Sequence, residues 1–234
     1  VIVSINQPAY LPWLGYFQRI AVSDVHIVLD HVQFEKNSFT NRNKVRTAQG
    51  GTWLTVPVKT KGRFGELSIA DLEIDTQQDW RRRHWNTIRQ AYARAPHFAA
   101  HEQFFAGMFS QEWTKLAPLC QELTGYLLDQ FQIKTRMLYS SAMEPTGTKD
   151  ELILELCRSV GATTYFSGAL GRDYLREPLF AEAGIKVVYQ DYQHPVYAQQ
   201  YQPFEPYMAA ADLLFNCGAQ SGELLTAGQK AVSA

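Results

Sequence analysis

Asp191 and His194, in DYQHPVY, form the pair with the clearest chemical capacity. An imidazole titrates near neutrality, so His194 suits general acid/base work, and the nearby carboxylate can orient it. The plainer alternative is a packing loop with His194 bonded to backbone. Asp30 ends the run VHIVLD and can act as a base or orient a cation. FEKNSFTNRNKV supplies the cations Lys36, Arg42 and Lys44 beside amides and hydroxyls, Asn41 among them. That mixture recognises phosphate or carboxylate. SGALGRDY offers Ser167, Gly168 and Arg172, where small residues past a strand let an anion approach backbone N–H groups. INQPAYLPWLGY places the amides of Asn6 and Gln7 ahead of Tyr10, Trp13 and Tyr16, a polar end and an aromatic wall. Asp212 and Asn216, four residues apart on an expected helix, share one face.

No common motif ties these groups to a reaction. Walker A, Gly-x-Gly-x-x-Gly, His-Glu-x-x-His and Gly-x-Ser-x-Gly are all missing. His26 and His31 lack metal-ligand spacing, so no metal site is expected. Cys120, Cys157 and Cys217 lie far apart, which argues against a disulfide scaffold and for a reducing compartment. The net charge of -1 gives no general attraction to nucleic acid or acidic membranes. No apolar run reaches the roughly 18 residues of a membrane span. The chain opens on VIVSI rather than a basic and then apolar leader, so a cytoplasmic location is expected.

The elements that must position these groups follow an α/β pattern. Val1 to Ile5 reads as a strand, Leu14 to Val22 as a helix, and Val25 to Leu29 as a second strand, with an extended piece at Val32 to Phe34. This is a βαβ unit whose right-handed crossover brings Asn6 to Trp13 and Asp30 to Lys36 to one carboxyl edge. Glu35 to Gly51 shows no clear periodicity. Trp53 to Val58 and Leu67 to Ile74 are expected to form a hairpin around KTKGRFG. Helices are expected at Asp79 to Ala95, Phe98 to Phe109 and Trp113 to Phe131. The α/β pattern then returns, with strands in TRMLYSSAM, ATTYFSG and IKVVYQDY. Its helices are Thr148 to Gly161, opened by a Thr148/Glu151 capping box, then Pro178 to Ala183, MAAADLLFNCG and Gly222 to Ala231. The expected fold is α/β: a Rossmann-like, mostly parallel sheet with a β-hairpin extension and a helical middle lobe. One domain is expected, with a helical insertion at about 76–132.

Taken together, QPAYLPWLGYFQRI, SDVHIVLDHVQFEKNSFTNRNKV, WLTVPV, GATTYFSGALGRDYL and FAEAGIKVVYQDYQHPVYAQQYQPFEPYMAAADLLFNCG resemble the WbqC-like protein family. The resemblance implies a role in bacterial O-antigen or other surface-glycan gene clusters. It implies a transferase attaching amino-acid or related acyl groups, such as glycine, to sugars. It marks Gln7, Pro8, Tyr10, Pro12, Gly15, Tyr16, Asn41, Arg42, Ser167, Gly168, Asp191, His194, Pro195, Asp212 and Asn216 as motif positions. A looser likeness is to nucleotidyltransferases and adenylate-forming ligases, although PWLGYF stands where their His-x-Gly-His would be.

Three functions compete on these grounds. The first is a transferase acting on a nucleotide-linked or lipid-linked sugar and an amino acid, with His194 as base. The second is a ligase or nucleotidyltransferase needing ATP with magnesium. The third is a non-catalytic binding subunit of a glycan assembly complex. An enzyme requires the opening loop, the basic loop and the His194 loop to converge on one cleft. The sequence leaves any other cofactor and the oligomeric state open.

Overall fold

The computed structural model describes residues 1–62 and 67–227. Its centre is a five-stranded parallel sheet of β1 (Ile2–Asn6), β2 (Val25–Val28), β5 (Arg136–Tyr139), β6 (Thr164–Ser167) and β7 (Lys186–Tyr189), ordered β5-β2-β1-β6-β7. Val3, Ser4 and Ile5 of β1 are all buried, as a central parallel strand covered on both faces requires. Among the five parallel strands the spatial order is third, second, first, fourth, fifth. The chain therefore reverses direction across the sheet between β1 and β6, the crevice where open α/β folds place ligands.

Opposite faces of the sheet carry different helices. On one, α5 (Lys149–Ser159) and α6 (Glu177–Glu182) bury Leu152, Leu156 and Phe180 against Val3, Ile5, Ile27 and Tyr165. On the other, α1 (Leu14–Ala21) is covered in turn by α4 (Leu116–Gln130), α7 (Ala211–Cys217) and α8 (Ser221–Thr226). Every residue of α1 from Leu14 to Ile20 is buried, including Gln18 and Arg19. A third core joins α4 to α2 (Trp80–Tyr92), α3 (Phe98–Ser110) and a hairpin, through Trp80, Tyr92, Phe105, Leu119 and Phe215.

That hairpin differs from the expected one. Its strands are β3 (Arg42–Thr47) and β4 (Gly50–Thr55), in antiparallel register with Val45 opposite Thr52. Trp53 to Thr55 are in a strand, but their partner is the stretch read as an aperiodic loop. Within Leu67 to Ile74 only isolated bridges form, Ser68 to Gln33, Glu73 to Lys115 and Ile74 to Val58, around a short 3-10 turn. Residues 63–66 of the expected turn and 228–231 of the expected last helix lie outside the described residues.

The Thr148/Glu151 capping box does not form. Thr148 occupies the N-cap without a side-chain bond, and Lys149 takes φ 54°. Glu151 Oε1 instead accepts from Arg176 Nη2 at 3.2 Å. The stronger tie is Asp150, whose two carboxylate oxygens accept from Arg176 Nε and Nη2 at 2.7 and 2.9 Å. Those bonds hold the Asp150 pKa at about 2, below the ordinary 3.8. As pH falls, the unfolded chain takes up this proton first, so the stability tied to Asp150 is present above 3.8 and lost toward 2. Asp150→Asn is expected to flatten the stability profile across that window, as read by urea unfolding at stepped pH.

Candidate functional site

The carboxyl edge of the sheet holds the most enclosed groups with free chemical capacity. Asp30 follows β2 and is 6% exposed. Its Oδ1 accepts from Ser140 Oγ at 3.0 Å and from the Ser141 N–H at 2.8 Å; its Oδ2 accepts from Ser141 Oγ at 2.7 Å. A carboxylate has about four acceptor positions, so Oδ2 keeps one open. No salt bridge occupies Asp30 among the described residues. The next residue, His31, places Nδ1 2.6 Å from Ser140 Oγ, extending the chain of bonds.

This carboxylate opens into a cavity of about 290 Å³ between the sheet edge and α4, lined by Pro8, Tyr16, Asp30, Tyr139, Ser141 and Gln121, among others. Cys120 also borders it, but burial pushes its thiol pKa upward, away from thiolate. Lys115, at the mouth, pairs with Asp71 at 2.9 Å. A second hollow of about 220 Å³ shares Pro8 and is lined by Asn6, Gln7, Trp13, Ser38, Phe39 and Thr40. Gln7 Oε1 accepts from Thr40 Oγ1 at 3.5 Å, so the opening loop and part of the basic loop do meet.

An aromatic surface runs outward from there. Trp13 and Phe39 have ring centroids 5.0 Å apart, and Phe39 and Trp53 5.9 Å. Phe39 and Trp53 are 44% and 45% exposed. Arg42 lies 4.6 Å and Lys44 5.8 Å from the centroid of the Trp53 ring, within cation–π reach.

The remaining expected residues go elsewhere. Lys36, Asn41 and Arg42 line a separate hollow of about 170 Å³ beside the hairpin. Asn41 Nδ2 donates to the Val56 carbonyl, and Arg42 to Asn37. Tyr10 is not a pocket wall: it is fully buried, its hydroxyl 2.8 Å from His84 Nδ1. Ser167 and Gly168 do reach the edge at the end of β6, while Arg172 stacks on Tyr189 at 4.3 Å.

The Asp191–His194 expectation meets a different geometry. The Tyr207 backbone N–H donates to His194 Nε2 at 3.1 Å, so the ring proton sits on Nδ1 and donates to the Pro195 carbonyl at 2.8 Å. Both nitrogens serve the loop, and the ring sits among Tyr192, Tyr197, Phe204 and Tyr207. Asp191 Oδ1 accepts from Gln193 Nε2 at 3.2 Å. Burial lowers the His194 pKa from 6.5. The unfolded chain therefore protonates first on acidification, and stability tied to this ring is present above 6.5 and lost as pH falls. His194→Gln is expected to remove that slope below about pH 6.5, with the profile above it unchanged, read by chemical unfolding.

Asp212 and Asn216 are buried rather than facing a cleft. Asp212 Oδ1 accepts from Tyr92 Oη at 2.8 Å, and Oδ2 from Tyr197 Oη at 2.7 Å and Gln199 Nε2 at 2.8 Å. Asn216 Nδ2 donates to the Asp212 carbonyl, and its Oδ1 accepts the Gln200 N–H. The Gln- and Tyr-rich segment is thereby spent on clasping the molecule. Ala209 N–H donates to the Lys44 carbonyl and Ala210 N–H to the Pro12 carbonyl, each at 2.8 Å.

Sequence reasoning missed Ser140, Ser141, His31 and Arg19. The serine pair directly follows the strand RMLY, at the same edge, which was a usable signal. Arg19 sits within a helix whose neighbouring positions are almost all apolar or aromatic.

A family model described as the WbqC-like protein family matches residues 7–223. The chain belongs to this family. The WbqC-like chain is also 38% identical, over 225 residues, to the uncharacterized protein Rv1507c of Mycobacterium tuberculosis (strain ATCC 25618 / H37Rv), a match covering 95% of this chain and 96% of that protein. No solved structure matches it. No described helix of this WbqC-like protein is long and apolar enough to cross a membrane.

Proposed function

We propose that this protein is a cytoplasmic transferase that joins an acyl or aminoacyl group, such as glycine, to a sugar. The sugar would be nucleotide-linked or lipid-linked, in surface-polysaccharide (O-antigen) or related amino-sugar biosynthesis. Asp30 is the observation that carries the reading: a buried carboxylate fixed by three donors, with one acceptor position open toward a cavity. In the proposed reaction an amine or hydroxyl of the acceptor attacks the acyl carbonyl, its proton passes to Asp30 Oδ2, and the donor's leaving group departs. Gln7, Trp13 and Phe39 then hold the sugar, with the Gln7 amide on its hydroxyls and ring faces on its C–H surface.

A second reading is favoured by one observation, the strand order with its reversal between β1 and β6. Sheets of that order place nucleotides at the reversal, which fits an adenylate-forming ligase or nucleotidyltransferase using ATP with magnesium. The two readings separate in one experiment. Purified protein is incubated with amino-sugar nucleotides and aminoacyl or acyl donors, with and without ATP and magnesium. Products are followed by mass spectrometry and pyrophosphate by exchange. Acylated sugar without pyrophosphate supports the first reading, and pyrophosphate release the second. Neither product across the donor set defeats both.

A further inference from the structure

Arg19 projects from α1 between that helix and the sheet, and it is only 7% exposed. Among the described residues no carboxylate pairs with it, and its guanidinium makes no hydrogen bond to any of them. Nε is buried without a partner. An arginine stays charged, and a charge buried without partner or water is costly. Burial weakens its hold on the proton, opposed in part by the nearby hydroxyls of Tyr165, Tyr16 and Tyr174. A fold that keeps such a group has a reason to keep it.

The position supplies one. Arg19 Nη1 lies 2.5 Å from where a Cβ on residue 168 would stand, so Gly168 makes room for the guanidinium at the carboxyl end of β6. Across the strand boundary, Asn6 ends β1, and its Nδ2 is also buried and unpartnered. Two unused donor groups thus flank the crevice where the strand order reverses, with no acceptor to meet them.

We propose that this crevice is an oxyanion site: a phosphate or carboxylate group of a small-molecule ligand accepts from Arg19 Nη1 and Nη2 and from Asn6 Nδ2. A guanidinium fork matches two oxygens of either group. The site requires binding only and stands whichever reaction Asp30 supports.

The test is the melting temperature of the full chain against inorganic pyrophosphate and acetate, at ionic strength fixed with chloride. A ligand of the native state raises the melting temperature with concentration. The wild type is expected to respond to at least one of the two, and the stronger response identifies the ligand's chemistry. Arg19→Gln is expected to lose the response while its ligand-free melting temperature stays equal or rises, because an uncompensated buried charge has gone. A structural arginine would do the opposite. Gly168→Ala keeps an ordinary backbone, φ −67° and ψ 161°, so only its new Cβ acts. It is expected to weaken binding at least about tenfold by displacing the guanidinium. An equal response in Arg19→Gln, a response to neither anion in the wild type, or a marked fall in ligand-free melting temperature overturns the assignment. An Arg19→Gln chain that fails to fold counts as such a fall, and unchanged affinity in Gly168→Ala overturns the assignment independently.

Discussion

Asp30→Asn is expected to lower turnover about 10²–10⁴-fold, the range of a lost general base, while the protein stays folded. The substitution preserves shape. An asparagine oxygen in place of Oδ1 still accepts from Ser140 and from the Ser141 N–H, and Ser141 Oγ can turn to accept from the new amide. What disappears is the anionic oxygen that would take the acceptor's proton. The effect should therefore fall on kcat with little change in KM or melting temperature. A variant with wild-type kcat would remove Asp30 from the chemistry. Ser141→Ala is the informative companion. It takes one donor from the carboxylate without touching its charge, so a smaller loss is expected.

The second large effect concerns stability. Asp212→Ala is expected to cost about 3–5 kcal/mol, because three donors lose one acceptor in the interior and each orphaned donor is worth about 1–3 kcal/mol before relaxation. Urea denaturation with a two-state fit reads it directly. A loss under about 1 kcal/mol would show the donors finding other partners. The same carboxyl has a pH signature. Burial raises its pKa above the ordinary 3.8, against the pull of its three donors. Below 3.8 both states hold the proton; as pH rises, the unfolded chain releases it first, so the contribution declines through the folded pKa. Asp212→Asn should lack that decline.

The parallel sheet was legible because its central strands are buried on both faces and read as apolar runs. VIVSI, VHIV and TYFS declare themselves without knowledge of their neighbours. The hairpin did not. RNKVRT turns Asn43, Val45 and Arg46 inward, and the terminal nitrogens of its buried arginine are held by the Pro203 carbonyl and by Glu205, far along the chain. Its strand character rests on partners that local pattern cannot show. The opening loop was placed at the edge because it follows a strand end, a local fact. His194 needed a remote one: the backbone N–H of Tyr207 takes the nitrogen that a catalyst would need. Thr148 and Glu151 had the right spacing for a cap, and Arg176 drew the glutamate away. Arg19 gave the least warning, since a helix pattern reads charge as an outward face and this one points in.

The segment from Tyr197 to Asn216 touches α2, β3 and the loop after β1, parts made far earlier in synthesis. A nascent chain lacking it carries Tyr92 without an acceptor and the hairpin without its lid. Productive closure of the interior thus waits for translation to pass residue 216, so the last part of synthesis completes a core that the earlier part only begins.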